Sequence, residues 1–491
     1  MKPDRTPHIT RFQKYLYTLL MIVLCTLMVL NFVVPDQLRS EVENRPLANF
    51  PAVTLESLSS GKFAKQFNDY VSDQFLGRNS LFHVDYLFRK LCGQREIDDV
   101  FLGKNALLQN PSKPKDGFPS SQVDAINAFA DLTGLPTTVL VAPSAASIQP
   151  DKLPMDAPVN EENSALDTVY NSLATNKADV RQILTSHQNE YIYYRTDHHW
   201  TSLGAKYGAQ TLLESFGVTM NPDDFDSLKV SDTFEGTLAN KTGAVGLQDD
   251  ISICPDKYQT EYVVTWNDGS KTASIYNQDA LNHKDQYQVF LGANQGLIHI
   301  ETLSNSNENL LLFKDSYANS MIQFLLPYYR NIYIVDPRYF YDDIGFVMAA
   351  GNITQLAFVF SYNNFMTDPS LRDVLETQIA QAQAQDQPAA QAAQEESAQE
   401  QSSEQESPSS QASTQEKSDG SEQSSEQSSQ SEQPQSEDQS TQQEQPSEAE
   451  PSEAEPSEDN VQETQPSADQ SNTSSENEAD KASSSAENKN S

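Results

Sequence analysis

The chain has 491 residues, 70 acidic against 32 basic, for a net charge of −38. Residues 386–491 alone carry 26 Asp and Glu against Lys417, Lys481 and Lys489. Val461 is their one large aliphatic, and no aromatic follows Phe365. Such a stretch cannot bury enough apolar surface to offset roughly 1–2 kcal/mol per residue of backbone ordering entropy, so a disordered acidic Gln/Ser/Glu/Pro-rich tail is expected over 386–491. With no basic stripe to hold phosphates, a nucleic-acid partner is excluded.

Cysteine gives little to work with. Cys25 lies in an apolar run, so at most one bridge, Cys92 to Cys254, is open outside a membrane, and two free thiols are the other reading. No paired spacing suggests zinc.

The run YLYTLLMIVLCTLMVLNFVVP is uncharged and long enough to span a hydrocarbon core, which predicts a transmembrane helix over 15–35. Lys2, Arg5, Arg11 and Lys14 precede it with only Asp4 in opposition. The positive-inside rule then places 1–14 in the cytoplasm and the chain from 36 onward outside the cell membrane. A cleaved signal peptide is the competing reading, against which stand the length of the run and the lack of a small-x-small site.

Beyond the span, Leu58, Phe63, Phe67, Tyr70, Val71 and Phe75 recur at helical spacing over 56–75, and LFHVDYLFRKL predicts a second helix. Helix and strand signals then alternate: helix 121–132, strand 137–142, helix 178–187, strand 190–195 (EYIYYR), helix 202–216. Residues 218–300 break the rhythm as a β-rich insertion, with a hairpin in YVVTWNDGSKTASIY turning at Asn-Asp-Gly. The alternation resumes with strand 309–313, helix 317–328, strand 331–335, a helix near 340–349 and strand 355–360. This pattern predicts an α/β fold, a parallel sheet flanked by helices, filling an extracytoplasmic domain over 36–368. A helical linker over 369–385 leads to the tail, where PSEAE at 446 and 451 encodes extension rather than a repeat unit.

Two stretches carry candidate chemistry. Thr196-Asp197-His198-His199-Trp200-Thr201 lies between the predicted strand EYIYYR and the helix from 202. An Asp two residues before a His can accept the Nδ1 proton and leave Nε2 free as a base. The alternative is that Asp197 or Ser202 simply caps the helix. In NLLLFKDSYANSMIQFLL a strand delivers Lys314-Asp315-Ser316 to a helix start, where free N–H groups would favour a nucleophilic serine and an oxyanion; Asp315 or Ser316 as an N-cap is again the plainer reading. Both features fall in one predicted sheet, so together they can form a triad.

The motifs ENRPLANFP, TDHHW, FLGANQGLI, FKDSYANS and IVDPRYF, in this chain order, resemble those of the DHHW proteins, which are related to the SGNH-hydrolase-like domains of alginate O-acetyltransferases. The resemblance covers roughly 40–365. It implies Asp197 as orienter, His199 as base and Ser316 as nucleophile, with His198 the alternative base. Asp-x-x-His, the pattern of ordinary SGNH enzymes, does not fit, because Trp200 stands three after Asp197. Oxyanion or substrate candidates are the Ser316 N–H, Gly292 and Asn294, with Arg338 a candidate contact for an anionic or sugar substrate and Trp200 either a stacking face or core. The resemblance further implies an O-acetyltransferase of surface or secreted polysaccharide, needing no cofactor or metal, its acyl donor delivered by a membrane-bound O-acyltransferase. The other readings are a glycan acetylesterase, a non-catalytic wall or polysaccharide-binding protein on a degenerate hydrolase scaffold, and a metal site at His198 and His199.

Overall fold

The computed structural model describes residues 10–40, 45–115 and 117–384, so the tail and its expected disorder lie outside the described residues. Helix α1 (Arg11–Val33) opens with a capping box: Gln13 N–H donates to Thr10 Oγ1, and Thr10 N–H to the Gln13 amide oxygen. It is long and apolar enough to cross a membrane or to serve as a signal sequence. The helix expected over 56–75 is two, Leu55–Ser59 and α2 (Lys62–Asp73), broken at Ser60-Gly61. Helix α3 (Arg78–Leu91) follows, then a three-stranded sheet of Glu96–Ile97, Val100–Leu102 and Leu107–Gln109, whose strands are too short to show an alternation in sequence.

From α4 (Phe118–Thr133) onward the α/β rhythm holds. The main sheet takes β1 (Thr137–Ala142), β2 (Asn176–Lys177), β3 (Tyr262–Thr265), β4 (Lys271–Thr272), β5 (Leu297–Thr302), β6 (Asn309–Lys314), β7 (Asn331–Val335) and β8 (Gln355–Ser361) in the order β4-β3-β5-β7-β6-β8-β1-β2. Strands β7, β6, β8, β1 and β2 are parallel. The hairpin β3/β4 and strand β5 add antiparallel to one edge, so part of the 218–300 segment extends the sheet rather than standing off it.

Both faces are covered, and β6 shows why. Leu310 and Leu312 pack with Ile332, Ile334 and Trp200 on one side, whereas Leu311 and Phe313 pack with Phe129 and Phe358 on the other. A strand buried on both faces reads as a continuous apolar run, which is NLLLF. Each such side chain contributes about 1.5–3 kcal/mol by leaving water.

Two expectations need correction. EYIYYR is not a sheet strand: it folds back through a single bridge, Tyr193 to Trp200, with Tyr194 N–H donating to His199 O and Thr201 N–H to Ile192 O. Ile192, Tyr193 and Tyr194 are buried, but the chain turns back on itself instead of pairing with the main sheet. Helix 317–328 is instead three 3₁₀ turns, Ser316–Ser320, Ile322–Phe324 and Leu326–Tyr328. The stretch Tyr317–Leu326 is buried on every side, and Pro327 lacks the N–H that a continuing helix needs. Residues 370–384 are helical, in the segment read as a helical linker, and Leu371 and Leu375 at i, i+4 enter the core beside Phe129 and Val123, so this helix packs on the domain.

At the end of β1, Ser144 donates its N–H and hydroxyl to the Glu162 carboxylate at 2.8 and 2.5 Å, and Glu162 is buried. Burial outweighs these bonds and pushes the carboxyl from its ordinary 4.5 up to about 7. The folded state then keeps a proton that the unfolded chain has lost between those values. Stability is therefore expected to fall as pH rises from about 4.5 to 7, by ~3 kcal/mol, and to level off above. Glu162→Gln should flatten that slope in denaturant titrations run across the window; an unchanged slope would place the proton elsewhere.

Candidate active site

Parallel strands bring their carboxyl ends to one rim, where open α/β sheets place ligands. Strand β6 delivers Lys314, Asp315 and Ser316 there, β7 delivers Asp336, and β8 ends at Ser361. Asp315 is the N-cap of the turn that follows. Its Oδ1 accepts from Tyr317 N–H at 2.9 Å, while Oδ2 accepts from Ser361 N–H and Oγ and from Asn364 Nδ2. That network fixes the β6 and β8 ends together and leaves Ser316 half-buried at the first position of the turn, where an N–H has no acceptor within its own helix.

The loop 196–201 meets Ser316 from across the rim. His199 Nε2 lies 2.8 Å from Ser316 Oγ, and His199 Nδ1 lies 2.5 Å from Asp197 Oδ1, which also accepts from His199 N–H at 2.9 Å. The carboxylate fixes the tautomer: Nδ1–H donates to Asp197, and Nε2 is left to accept from the serine hydroxyl. Asp197 Oδ2 accepts from Thr237 N–H at 2.7 Å and Thr237 Oγ at 2.8 Å. Burial works against a charge on Asp197, but the neighbouring His198 and His199, the His199 bond and the Thr237 N–H outweigh it and hold the carboxyl well below its usual range.

The His198 ring lies against that of His199, with centroids 3.9 Å apart, but its Nδ1 is engaged away from the serine. Its Nδ1 lies 2.6 Å from Thr237 Oγ. That hydroxyl already donates to Asp197, so His198 Nδ1–H must be the donor. Burial and the adjacent His199 lower the His198 pKa, and His199, not His198, faces the serine. Asp197, His198 and His199 are also a group whose ligand atoms converge within 4.8 Å. Asp197 and His199 Nδ1 are, however, already engaged in the bonds above.

Three further features hold the site, none marked by a sequence motif. The Tyr287 ring stacks on His199 at 3.9 Å and 9°, and its hydroxyl donates to Ser316 O at 3.0 Å, bracketing base and serine together. Asp249 accepts from Arg195 N–H, Thr196 N–H, Thr196 Oγ and Tyr191 Oη, pinning the start of the loop. Gly236 packs so closely on Asp197 that an added Cβ would lie 2.3 Å from Asp197 Cβ. All three come from the 218–300 segment, so that segment builds one wall of the site.

The remaining candidates are placed as follows. Trp200 is core: it is fully buried, donates Nε1–H to Tyr317 O at 2.9 Å and fits against Gly208, where a Cβ would approach the ring to 2.7 Å. Gly292 N–H is taken by Gln288 O at 3.0 Å and so is not a free oxyanion donor, and Asn294 is exposed in the same turn before β5. Arg338 is committed as a fork to Asp336, with bonds of 2.8 and 2.7 Å, while Lys314 reaches the same carboxylate from the other side at 3.1 Å. Burial opposes the Asp336 charge, yet Arg338 and Lys314 together keep it below the usual carboxylate range. The three thiols are free, Cys92 exposed and Cys254 buried.

Residues 120–335 match the DHHW protein family. Among solved structures, the chain is similar to a DHHW family protein from Eubacterium siraeum at 22% identity and a TM-score of 0.50, over 56% of this chain and 98% of that one. It is also similar to Bacillus cereus PatB1 carrying a sulfonyl adduct (19%, 0.48, 55% and 97%) and to the O-acetyltransferase domain of Pseudomonas putida AlgJ (13%, 0.37, 57% and 98%). No curated protein matches it in sequence. The match lies across the Asp197 loop and Ser316, so residues 120–335 resemble the DHHW proteins, and the chain shares a mixed α/β fold with the Eubacterium siraeum protein.

Proposed function

We propose that this protein is a serine O-acyltransferase, in the first instance an O-acetyltransferase, acting on a cell-surface or secreted polysaccharide. The observation that carries the reading is the relay Asp197–His199–Ser316, with links of 2.5 and 2.8 Å. Ser316 Oγ attacks the acyl carbonyl as His199 Nε2 takes its proton, and Asp197 stabilises the imidazolium. The tetrahedral oxyanion rests on the Ser316 N–H. Collapse expels the donor's leaving group, which takes the proton from His199, and leaves an acyl-serine. A glycan hydroxyl then loses its proton to His199 and attacks the acyl-serine, and collapse of this second intermediate releases the ester and returns the proton to Ser316. Water in place of the hydroxyl makes the same site an esterase. The sequence so written draws on no metal or cofactor.

In this reading α1 is a single-pass anchor with its N-terminus in the cytoplasm, the domain faces the outside, and a membrane-bound O-acyltransferase supplies the acyl group. The test is a fluorophosphonate probe applied to the full chain, with the adduct mapped by mass spectrometry. Labelling at Ser316, together with turnover of acetyl esters, is expected. Folded protein that is unlabelled and inert to such esters would leave the non-catalytic glycan-binding reading in its place.

A further inference from the structure

Helix α3 is apolar on two sides. Its inner side packs Tyr86 with Ile97, Val100, Leu107, Leu238 and Ala239, and His83 Nδ1 meets Gly243 O at 2.8 Å. The outer side presents Leu81, Val84, Leu87, Phe88 and Leu91, all 50 to 85% exposed. At about 100° per residue these five fall within an arc of about 120°, the width of a buried helix face. A soluble surface rarely leaves such a stripe bare, so something covers it.

The connection to α1 says what. Leu76 N–H donates to Asn31 Oδ1 at 2.8 Å, Gln37 N–H and O bond the Gln74 side chain at 2.9 Å each, and Tyr70 Oη donates to Asp36 Oδ1 at 2.9 Å. These bonds tie α2 and the elbow before α3 to the last turn of α1 and the residues just beyond it. Asn31 lies two residues from the end of that helix, about 3 Å along its axis. Helix α3 starts at Arg78, two residues beyond Leu76. The first turn of the amphipathic helix is therefore held at the depth where the apolar span ends.

We propose that the outer face of α3 lies in the lipid headgroup–acyl boundary of the bilayer that α1 spans. This rests on α1 being a membrane span. Lipid is favoured over a protein occupant because the tether already holds the stripe against it, at an effective concentration no free partner matches. Arg89 and Lys90, in the last turn, lie off the arc, as expected of a helix lying in the interface. The consequence is a domain docked on the membrane by two elements, with the segment 237–242 that carries Thr237 packed directly on the second.

The test uses the full chain with Cys25→Ser and Cys92→Ser, reconstituted in phosphatidylethanolamine/phosphatidylglycerol vesicles. A nitroxide is attached after Val84→Cys, Phe88→Cys or Arg89→Cys, and after Val23→Cys within α1. Each variant is first checked by thermal unfolding. Labels at 84 and 88 are expected to show an oxygen-to-nickel-complex accessibility ratio several-fold above that at 89, approaching that at 23. If 84 and 88 are as open to the nickel complex as 89 while 23 stays in lipid, α3 lies in water and the proposal falls. Labels at 84 and 88 that are immobilised and shielded from both reagents would put a protein on the face and overturn it equally. Nickel accessibility at 23 would remove the membrane span itself, and the docking with it.

Discussion

Ser316→Ala is expected to lower turnover of an acetyl ester by a factor on the order of 10⁴ to 10⁶, with the melting temperature nearly unchanged. The serine hydroxyl is half-exposed and its one side-chain partner is His199, so removing it disturbs little packing. Asp197→Asn should cost about 10³ to 10⁴, because an amide cannot satisfy what the carboxylate now receives. All four bonds to Asp197 come from donors: His199 N–H and Nδ1–H on one oxygen, Thr237 N–H and Oγ–H on the other. Whichever side the Asn NH₂ faces, it meets a donor, and facing His199 it forces the other tautomer and turns Nε2 into a donor toward the serine. The double variant should be no slower than Ser316→Ala alone, since the three groups act as one unit. Stopped-flow or steady-state ester hydrolysis reads all three. A double variant slower by the product of the single losses would mean that Asp197 works through some route other than His199.

How much of this was legible in the sequence follows from where each residue's constraint comes from. Strands β1, β6, β7 and β8 were readable to within a residue, because a two-sided buried strand must be a short, uninterrupted apolar run. Asp197 and His199 were readable because their relation is local, two residues in one turn, and Ser316 because it follows such a strand. The stretch 317–328 reads as a helix in sequence, mostly apolar with Asn319, Ser320 and Gln323 among the apolar residues. Burial on every side carries no period, however, and the 3₁₀ turns leave no trace in the pattern. EYIYYR misled for the opposite reason: its side chains suit a strand, whereas what decides its path is Asp249, more than fifty positions away, taking up its backbone N–H groups. Tyr287, Thr237, Gly236 and Asp249 share that character. Each acts on the site through a contact between distant segments, and nothing in the residues around it announces the partner.

Gly236→Ala is expected to impair the reaction without touching any reacting atom. The residue has an extended backbone, φ −86, so alanine is free of backbone strain there and the whole effect is steric. The new methyl carbon would lie 2.3 Å from Asp197 Cβ, 2.6 Å from Oδ2 and 2.8 Å from Cα. None of these can yield easily. Asp197 is held on the far side by His199, Gly236 N–H is bonded to Thr196 Oγ at 2.9 Å, and Thr196 is in turn held by Asp249. Relief must therefore come from moving the 196–199 loop or the 236–237 turn by about an ångström. Overpacking of this kind costs about 1–3 kcal/mol of stability, and displacing the base by that distance costs about 10²-fold in turnover. Because Gly236 has no side chain with which to hold a substrate, the loss should fall on kcat, with KM little changed. The readouts are a melting curve and full kinetics on one acetyl ester, with fluorophosphonate labelling as a third. Labelling should slow in step with kcat, because both need the His199 Nε2 to Ser316 Oγ distance to stay near 2.8 Å. A Gly236→Ala protein with wild-type kcat and stability would show that Asp197 is not clamped between the two segments, and the rigid relay would lose its structural basis.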